Sequence, residues 1–171
     1  MQDYDWHPIV LVRDLPDVIV SLRDHMLNEG PLWSMVWLDE RFSERSDSEQ
    51  LDLLVDLAAP WFIQFFVSWS EASRLGGGVR PLWVQYADWV GAPETTLTEV
   101  ARSVGLNPGR SQVASALESA RGRQTRLNVG RPGRGSELLS DAQLGRLNGF
   151  ARHYPHLDFT TIGLSLSLIH I

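Results

Sequence analysis

Ile9 to Asn28, read as IVLVRDLPDVIVSLRDHMLN, is the stretch that most limits what this chain can fold into. Its first four residues, Ile9 to Val12, form an aliphatic run typical of a strand that is buried on both faces of a parallel sheet. A helix should follow at once, because Asp14 can cap a helix, Pro16 fits a first turn and Asp17 suits the positive end of the helix dipole. The predicted apolar face of that helix repeats every fourth residue: Val18, Leu22 and Met26.

Arg13 carries the full positive charge of this junction, on the last residue of the predicted strand. The crevice at the carboxyl ends of parallel strands usually holds a ligand, so an anion is expected there. Ser21 lies about two turns into the helix, roughly 10 Å along its axis, and an extended Arg side chain can reach forward to share one phosphate with it. The alternative is a solvated arginine beside a serine that has no role in binding.

A second segment, RGRQTRLNVGRPGRG, concentrates positive charge. The chain has 15 basic residues, all of them Arg, and 21 acidic residues. Five of the 15 arginines lie in this segment. They are Arg121, Arg123, Arg126, Arg131 and Arg134. Gly130, Gly133 and Gly135 would let backbone N–H groups approach an anion closely. The segment therefore also predicts an anion site, with a solvated and flexible loop as the alternative.

Charge and missing residue types exclude several classes of protein. A net charge of −6 disfavours a general nucleic-acid binder. The chain has no Cys, which excludes thiolate metal sites, and its five His form no ligand pattern. The first residues lack the apolar core of a signal peptide, and the uncharged run Leu57 to Ser70 is too short to span a bilayer. We therefore predict a cytoplasmic protein that binds neither membrane nor nucleic acid.

The remaining pattern predicts one α/β domain over residues 1–163. Pro81 to Tyr86 reads as a second buried strand, so parallel strands are expected near 9–13 and 82–86, with helices on both faces of the sheet. Capping boxes that begin at Ser46 and Ser140 mark two helices, and Pro60 should interrupt the first of them. Residues 164–171, LSLSLIHI, fit nothing before them and are interpreted as a non-native tail.

Three segments, in order, resemble sulfotransferases that use 3′-phosphoadenosine 5′-phosphosulfate (PAPS). R-D-x-P-D-x-x-V-S resembles the family's 3′-phosphate-binding segment, which implies that Arg13 and Ser21 contact this phosphate. The strand that ends in Tyr-x-Asp resembles the segment whose Tyr packs against the adenine, and Tyr86 is the matching residue. Gly130-Arg131-Pro132-Gly133 resembles the basic Gly-x-x-Gly segment that closes over the same phosphate.

The third segment departs from the family pattern in two respects. The basic pair that precedes the first Gly in the family is here Asn128 and Val129, and the Trp after the second Gly is absent. The resemblance therefore does not settle which arginine contacts the phosphate. Arg131 and Arg134 are the first choices, and Arg126 is the next.

The resemblance implies a P-loop NTPase-like sulfotransferase topology, with PAPS as co-substrate and no metal. It implies transfer of a sulfuryl group to the hydroxyl or amine of a small-molecule acceptor, whose identity stays open although Trp33 and Trp37 suggest an apolar wall. The family's Gly-rich loop with its Lys precedes the Arg-bearing strand, whereas only 12 residues precede Arg13 and no Lys is present. A nucleotide kinase is excluded on the same ground, since its phosphate loop requires Lys.

We accordingly expect an incomplete sulfotransferase domain that carries the 3′-phosphate and adenine side of the site. Such a chain should not turn over substrate alone and should self-associate through uncovered sheet surface. The rival interpretation, from another class of protein, is a noncatalytic anion-binding or interaction module that uses the Arg-rich loop 121–134. Calorimetry with 3′,5′-bisphosphoadenosine and AMP distinguishes the two.

Overall fold

The computed structural model describes residues 7–29, 38–75, 80–121 and 131–165. Of these residues 69% are helical, and two short strands form a parallel sheet, which confirms the α/β character of the chain at this coarse level. The chain divides into two compact units. The sheet unit comprises the described residues of Met1–Val12 and Glu71–Gly130, and the helical unit comprises those of Arg13–Ser70 and Arg131–Ile171.

The elements follow one another with short connections. In chain order they are β1 (Ile9–Val12), α1 (Leu15–Asn28), a 3-10 turn (Glu40–Glu44), α2 (Asp47–Leu57), α3 (Ala59–Arg74), β2 (Leu82–Gln85), α4 (Tyr86–Gly91), α5 (Pro93–Ser103), α6 (Arg110–Arg121), α7 (Arg134–Leu138), α8 (Asp141–Ala151) and a second 3-10 turn (Phe159–Ile162). Trp33, Trp37, Arg126 and Gly130, which the sequence analysis singled out, lie outside the described residues.

In the sheet unit, β1 pairs in parallel with β2, so that Ile9 lies opposite Leu82. The prediction that β1 is buried on both faces is wrong: Val10 and Val12 are buried, but Ile9 and Leu11 are 44% and 57% exposed. Successive side chains of a strand point to opposite faces, and here the described helices α4 and α5 pack on β2 and leave one face of β1 open. Aliphatic sequence alone did not reveal this asymmetry.

Both strands end one residue earlier than predicted. Arg13 is the first residue after β1 and not its last residue, and Tyr86 opens α4 and does not close β2. The differences are small, and boundaries of this kind are the least certain part of any sequence-based assignment. They matter here because each displaced residue belongs to a predicted ligand site.

In the helical unit, α1 contacts α2, α7 and α8. Its predicted apolar face is partly wrong, because Val18 and Leu22 are only half-buried while Ile19 and Val20 are fully buried. Met26 is buried as predicted. Because α1 packs against several helices, it buries more of its circumference than a surface helix does. A single row of apolar residues at every fourth position therefore underestimates how much of α1 is buried.

The core of the helical unit joins residues that are far apart in sequence. Its largest fully buried side chains are Phe42, Phe159, Leu15, Ile19, Leu54, Leu147, Val20 and Val55. Phe159 packs against Phe66 of α3, with ring centroids 5.2 Å apart. Leu164 is also buried, and the N–H of Ser165 donates to Asn148 Oδ1 at 2.9 Å, so the fold includes these two residues.

The helical stretch Asp47–Arg74 is long and apolar enough, by length and composition, to cross a membrane. A core helix passes the same test, and 44% of its most apolar stretch lies buried in the protein. Ile63, Phe66 and Val67 supply part of that burial. As predicted, the helix is interrupted next to Pro60, because α2 ends at Leu57 and α3 begins at Ala59.

Two capping boxes begin helices of the helical unit, as the sequence predicted. Ser46 Oγ accepts from the N–H of Glu49, and the Glu49 carboxylate accepts from the Ser46 N–H at 2.9 Å. Ser140 and Gln143 form the same reciprocal pair: Ser140 Oγ accepts from the N–H of Gln143, and the uncharged Gln143 Oε1 accepts from the N–H of Ser140 at 2.9 Å. The side-chain hydrogen bond from Ser46, followed by its backbone N–H, lowers the pKa of Glu49 below its usual 4.5.

These two caps should respond differently to acid. The Glu49 carboxylate stabilises the folded state above pH 4.5, and this contribution is lost as the pH falls through its lowered folded-state pKa. Ser46→Ala should therefore reduce the free energy of unfolding less at pH 3 than at pH 7. Ser140→Ala is the matched control, and we expect it to cost about 1 kcal/mol at both pH values. Urea unfolding at the two pH values measures this, and equal behaviour of the two variants would contradict the assignment.

Candidate functional site

One face of α1 receives the segment that resembles the basic Gly-x-x-Gly motif. Asp17, Ser21 and Asp24 follow one another at i, i+4 and i+7, so their side chains share this face. Residues 131–138, here called the docked segment, include α7, which contacts α1. The two parts of the predicted site that lie in the helical unit are therefore brought together from opposite ends of the sequence.

Asp17 holds the docked segment through its backbone. The N–H of Gly133 donates to Asp17 Oδ2 at 2.8 Å, and the N–H of Gly135 donates to Oδ1 at 2.6 Å. Asp17 is only 2% exposed, so both bonds are shielded from water. The glycine amides were predicted to bind an anion, and the anion they bind in this structure is a carboxylate of the chain itself.

Both glycines are required by backbone geometry. Gly133 has a φ of +85°, a conformation that L side chains rarely adopt. Gly135 approaches α1 so closely that an added Cβ would lie 2.3 Å from the carbonyl carbon of Pro16 and 2.5 Å from the nitrogen of Asp17. Only glycine fits between the two backbones at this point.

Arg13 links the start of α1 to the docked segment. Its guanidinium donates to the carbonyl oxygen of Arg131 at 3.3 Å and lies 3.6 Å from Asp17 Oδ2. The side chain is 18% exposed, so the guanidinium is largely but not completely withdrawn from water. Arg13, which was predicted to contact a phosphate, therefore contributes to the docking through its contacts with Arg131 and Asp17.

The two first-choice arginines of the docked segment behave differently. Arg134 forms an ion pair of 2.7 Å with Asp24, and the two side chains are 14% and 12% exposed. Arg131 pairs with Glu137 inside the docked segment, and both of these side chains are more than half exposed. Of the two arginines, Arg134 is therefore the one held against the α1 face that carries Ser21.

Ser21 is the remaining predicted contact in the helical unit. It is half-buried, and its hydroxyl forms no hydrogen bond with another described residue. It lies one turn after Asp17 and one turn before Asp24, between the two carboxylates that hold the docked segment. A hydroxyl in this position can still donate to a ligand.

Asp14 adds a further carboxyl at the first turn of α1. It occupies the N-cap position predicted for it, without a side-chain capping bond. Partial burial, and then the Asp17 carboxylate, raise the pKa of Asp14, while Arg13 lowers it. A Cβ built on Gly163 would lie 2.7 Å from Asp14 Cγ, so the backbone of Gly163 is one of the groups that displace water from this carboxyl.

The other predicted site residues are not part of this cluster. Tyr86 belongs to the sheet unit, where it is partly buried at the start of α4. Arg126 and Gly130 lie outside the described residues. Within the described ranges, no group of three or more His, Asp or Glu side chains is placed to hold a metal ion.

Sequence reasoning missed the partners of the cations in this cluster. Asp17 was assigned only to the helix dipole and Asp24 to no role, yet these two carboxylates contact Gly133, Gly135 and Arg134. The seven-residue spacing of the two acids on one helical face was the available signal. Each of the three described arginines of the cluster, Arg13, Arg131 and Arg134, therefore has a carboxylate partner within the chain.

Comparison with known proteins gives no assignment of the cluster. No family model, curated protein or solved structure matches this chain.

Proposed function

We propose that the chain carries the 3′-phosphate and adenine side of a PAPS-dependent sulfotransferase site, in a P-loop NTPase-like topology. The activity would be transfer of a sulfuryl group to the hydroxyl or amine of a small-molecule acceptor. Bound PAPS would supply that group, and the residues described above would bind and orient its 3′-phosphate. Tyr86 is the proposed adenine contact.

The observation that carries the proposal is the meeting of two motif segments that lie 118 residues apart. The guanidinium of Arg13 donates to the carbonyl of Arg131. Each segment alone is a common pattern, but their contact puts Arg13, Ser21 and Arg134 in one unit. Two guanidinium groups and a hydroxyl are the donor types that hold a phosphate by charge-assisted hydrogen bonds.

The balance of charge favours a ligand with more than one negative charge. Each described arginine of the cluster already contacts an acid, so an incoming anion competes with carboxylates for the same donors. A phosphate monoester, with a charge near −2 and three acceptor oxygens, competes better than a singly charged diester. This supports a terminal 3′-phosphate as the recognised group.

Substitution of Ser21 tests the site with little disturbance of the fold. Ser21→Ala should weaken binding of 3′,5′-bisphosphoadenosine by about 1 kcal/mol, because one hydrogen bond to the phosphate is lost. Arg13→Ala should weaken it more, by roughly 1.5 to 3 kcal/mol. AMP, which lacks the 3′-phosphate, should bind weakly to every variant. Isothermal titration calorimetry measures these affinities.

Two exposed positions provide matched controls. Arg74→Ala removes an arginine whose partner is Glu71, and Ser119→Ala removes a hydroxyl that donates to the Ser115 carbonyl. Neither should change the affinity by more than about twofold, because each side chain is exposed, contacts a residue of its own helix and is not a proposed contact of the ligand. Equal affinity of the wild-type protein for 3′,5′-bisphosphoadenosine and AMP would reject the proposed function.

A noncatalytic module is the second candidate, and one observation favours it. Arg131, Arg134 and Arg13 all contact acceptors within the chain, as the groups of a purely structural junction would. On this account the cluster only fastens the docked segment, and the arginines of loop 121–134 meet an acidic partner. The calorimetric comparison separates the candidates, since a structural junction has no preference for a 3′-phosphate.

A further inference from the structure

We infer that Asp24 is an internal competitor for the ligand: its carboxylate occupies Arg134 when the site is empty and is displaced by the 3′-phosphate. This inference rests on the proposed function, because it concerns how the proposed site exchanges one anion for another. It assigns to Asp24 an effect on ligand affinity that is opposite in sign to the effect of Arg13, Ser21 and Arg134.

The two carboxylates on this face of α1 differ in whether they can be displaced. Asp17 is bound by two backbone N–H groups, and the backbone of Gly135 lies so close to α1 that an added Cβ would clash with Pro16 and Asp17. Displacing Asp17 would leave both N–H groups to find other acceptors and would separate the docked segment from α1. Asp17 is therefore a fixed part of the structure.

The contact of Asp24 with Arg134 joins two side chains. Both ends can rotate, and each side chain keeps more than a tenth of its surface exposed. Arg134 has five N–H donors, so it can turn toward another acceptor without losing all contact with its first partner. This ion pair is the exchangeable contact of the cluster.

Asp24 also keeps a second cation after displacement. Its Oδ1 lies 3.8 Å from the guanidinium of Arg23, a residue that in turn lies 3.4 Å from Asp47. The carboxylate can therefore leave Arg134 without becoming an isolated charge in a partly buried position, which would carry a large desolvation cost. The arrangement lowers the cost of exchange.

The position of Ser21 brings the two anions close together. Ser21 and Asp24 are three residues apart on the helix, so their Cβ atoms are neighbours at about 5 to 6 Å. A phosphate that accepts from the Ser21 hydroxyl would meet Arg134 and would also be repelled by Asp24. At this separation two negative charges oppose each other appreciably even with partial screening.

The decisive variant is Asp24→Asn. The amide keeps an oxygen that can accept from Arg134, so the docked segment stays attached, but the competing negative charge is removed. We expect the affinity for 3′,5′-bisphosphoadenosine to rise by about fivefold to tenfold in low-salt calorimetry, because the phosphate no longer opposes a neighbouring charge. The gain should diminish at high salt.

Two comparisons make the result specific. Asp141→Asn changes the net charge equally at an exposed side chain of the same unit that forms no ion pair with another described residue, and it should change the affinity by about twofold or less. In an Arg134→Ala background, Asp24→Asn should give a smaller gain than in the wild-type background, because the contested cation is absent and only the repulsion between Asp24 and the phosphate is relieved. Together they isolate competition for Arg134 from a general gain of positive charge.

The outcomes separate this inference from the function on which it rests. Suppose that the wild-type protein prefers 3′,5′-bisphosphoadenosine to AMP, but that a folded Asp24→Asn protein binds 3′,5′-bisphosphoadenosine no more tightly than the wild type. That result would overturn this inference and leave the proposed function standing. Absence of that preference in the wild-type protein would overturn both. If the variant does not fold, carboxyl ¹³C shifts of the wild-type protein decide: titration with 3′,5′-bisphosphoadenosine should move the Asp24 signal, and an unmoved signal at saturation would refute displacement.

Discussion

Gly135→Ala should lower the free energy of unfolding by about 3 kcal/mol or more, or prevent folding of the helical unit. The new methyl group would lie 2.3 to 2.5 Å from backbone atoms of Pro16 and Asp17, which cannot move aside as a flexible side chain would. Overpacking of a close contact costs about 1 to 3 kcal/mol. Displacement of the docked segment would also weaken its two hydrogen bonds to a buried carboxylate, at about 1.5 to 3 kcal/mol for a bond to a charged group.

Gly145→Ala in α8 is the matched control for this substitution. A Cβ at Gly145 would meet nothing within 4 Å, and alanine is favoured over glycine in a helix interior. We expect this variant to be unchanged or about 0.5 to 1 kcal/mol more stable. Chemical denaturation of both variants measures the difference, and a Gly135→Ala protein as stable as the wild type would show that the docked segment does not lie where the structure has it.

Asp17→Ala should be nearly as damaging, with an expected loss of about 3 to 5 kcal/mol. The substitution removes the acceptor of two shielded N–H groups and one partner of the Arg13 guanidinium. An unsatisfied buried donor costs about 1 to 3 kcal/mol, so two of them account for most of the predicted loss. Amide hydrogen exchange gives a direct readout, since protection of Gly133 and Gly135 should disappear.

Asp141→Ala is the comparison for Asp17→Ala. Asp141 is also an acid in the first turn of its helix, but it is exposed. Its loss should cost only the interaction with the helix dipole, about 0.3 to 1 kcal/mol. Equal destabilisation by the two substitutions would mean that Asp17 acts merely as a first-turn acid, which is the role that sequence reasoning gave it.

Local signals in the sequence predicted local structure well. Ser46 and Ser140 begin helices with both halves of their capping boxes formed, and Pro60 lies at the start of α3 beside the predicted interruption. The strand runs at Ile9 and Leu82 pair in parallel as expected. The two capping boxes and the interruption at Pro60 each depend on a few neighbouring residues, so a short window of sequence contains their whole physical cause. The pairing of the strands was expected from the α/β pattern of the chain and not from a local signal.

Features that depend on distant partners were predicted less completely. The sequence predicted that Gly133 and Gly135 would bind an anion, but it could not show that Asp17 supplies it, since 116 and 118 residues separate the partners. The exposed face of β1 was missed for the same reason, because burial is decided by what packs on a strand. The proposed binding roles of Arg13, Ser21, Tyr86, Arg131 and Arg134 stay predictions.

The two units have an interleaved order along the chain, and this has a consequence for biosynthesis. Asp17 emerges from the ribosome 118 residues before Gly135, its hydrogen-bonding partner. At a synthesis rate of about 5 to 20 residues per second, roughly 6 to 24 s pass between the synthesis of Asp17 and that of Gly135. During this interval α1 has its helix signals but no docked segment, and the sheet unit can form first. The helical unit is thus the one whose completion depends on translation of residues 131–171.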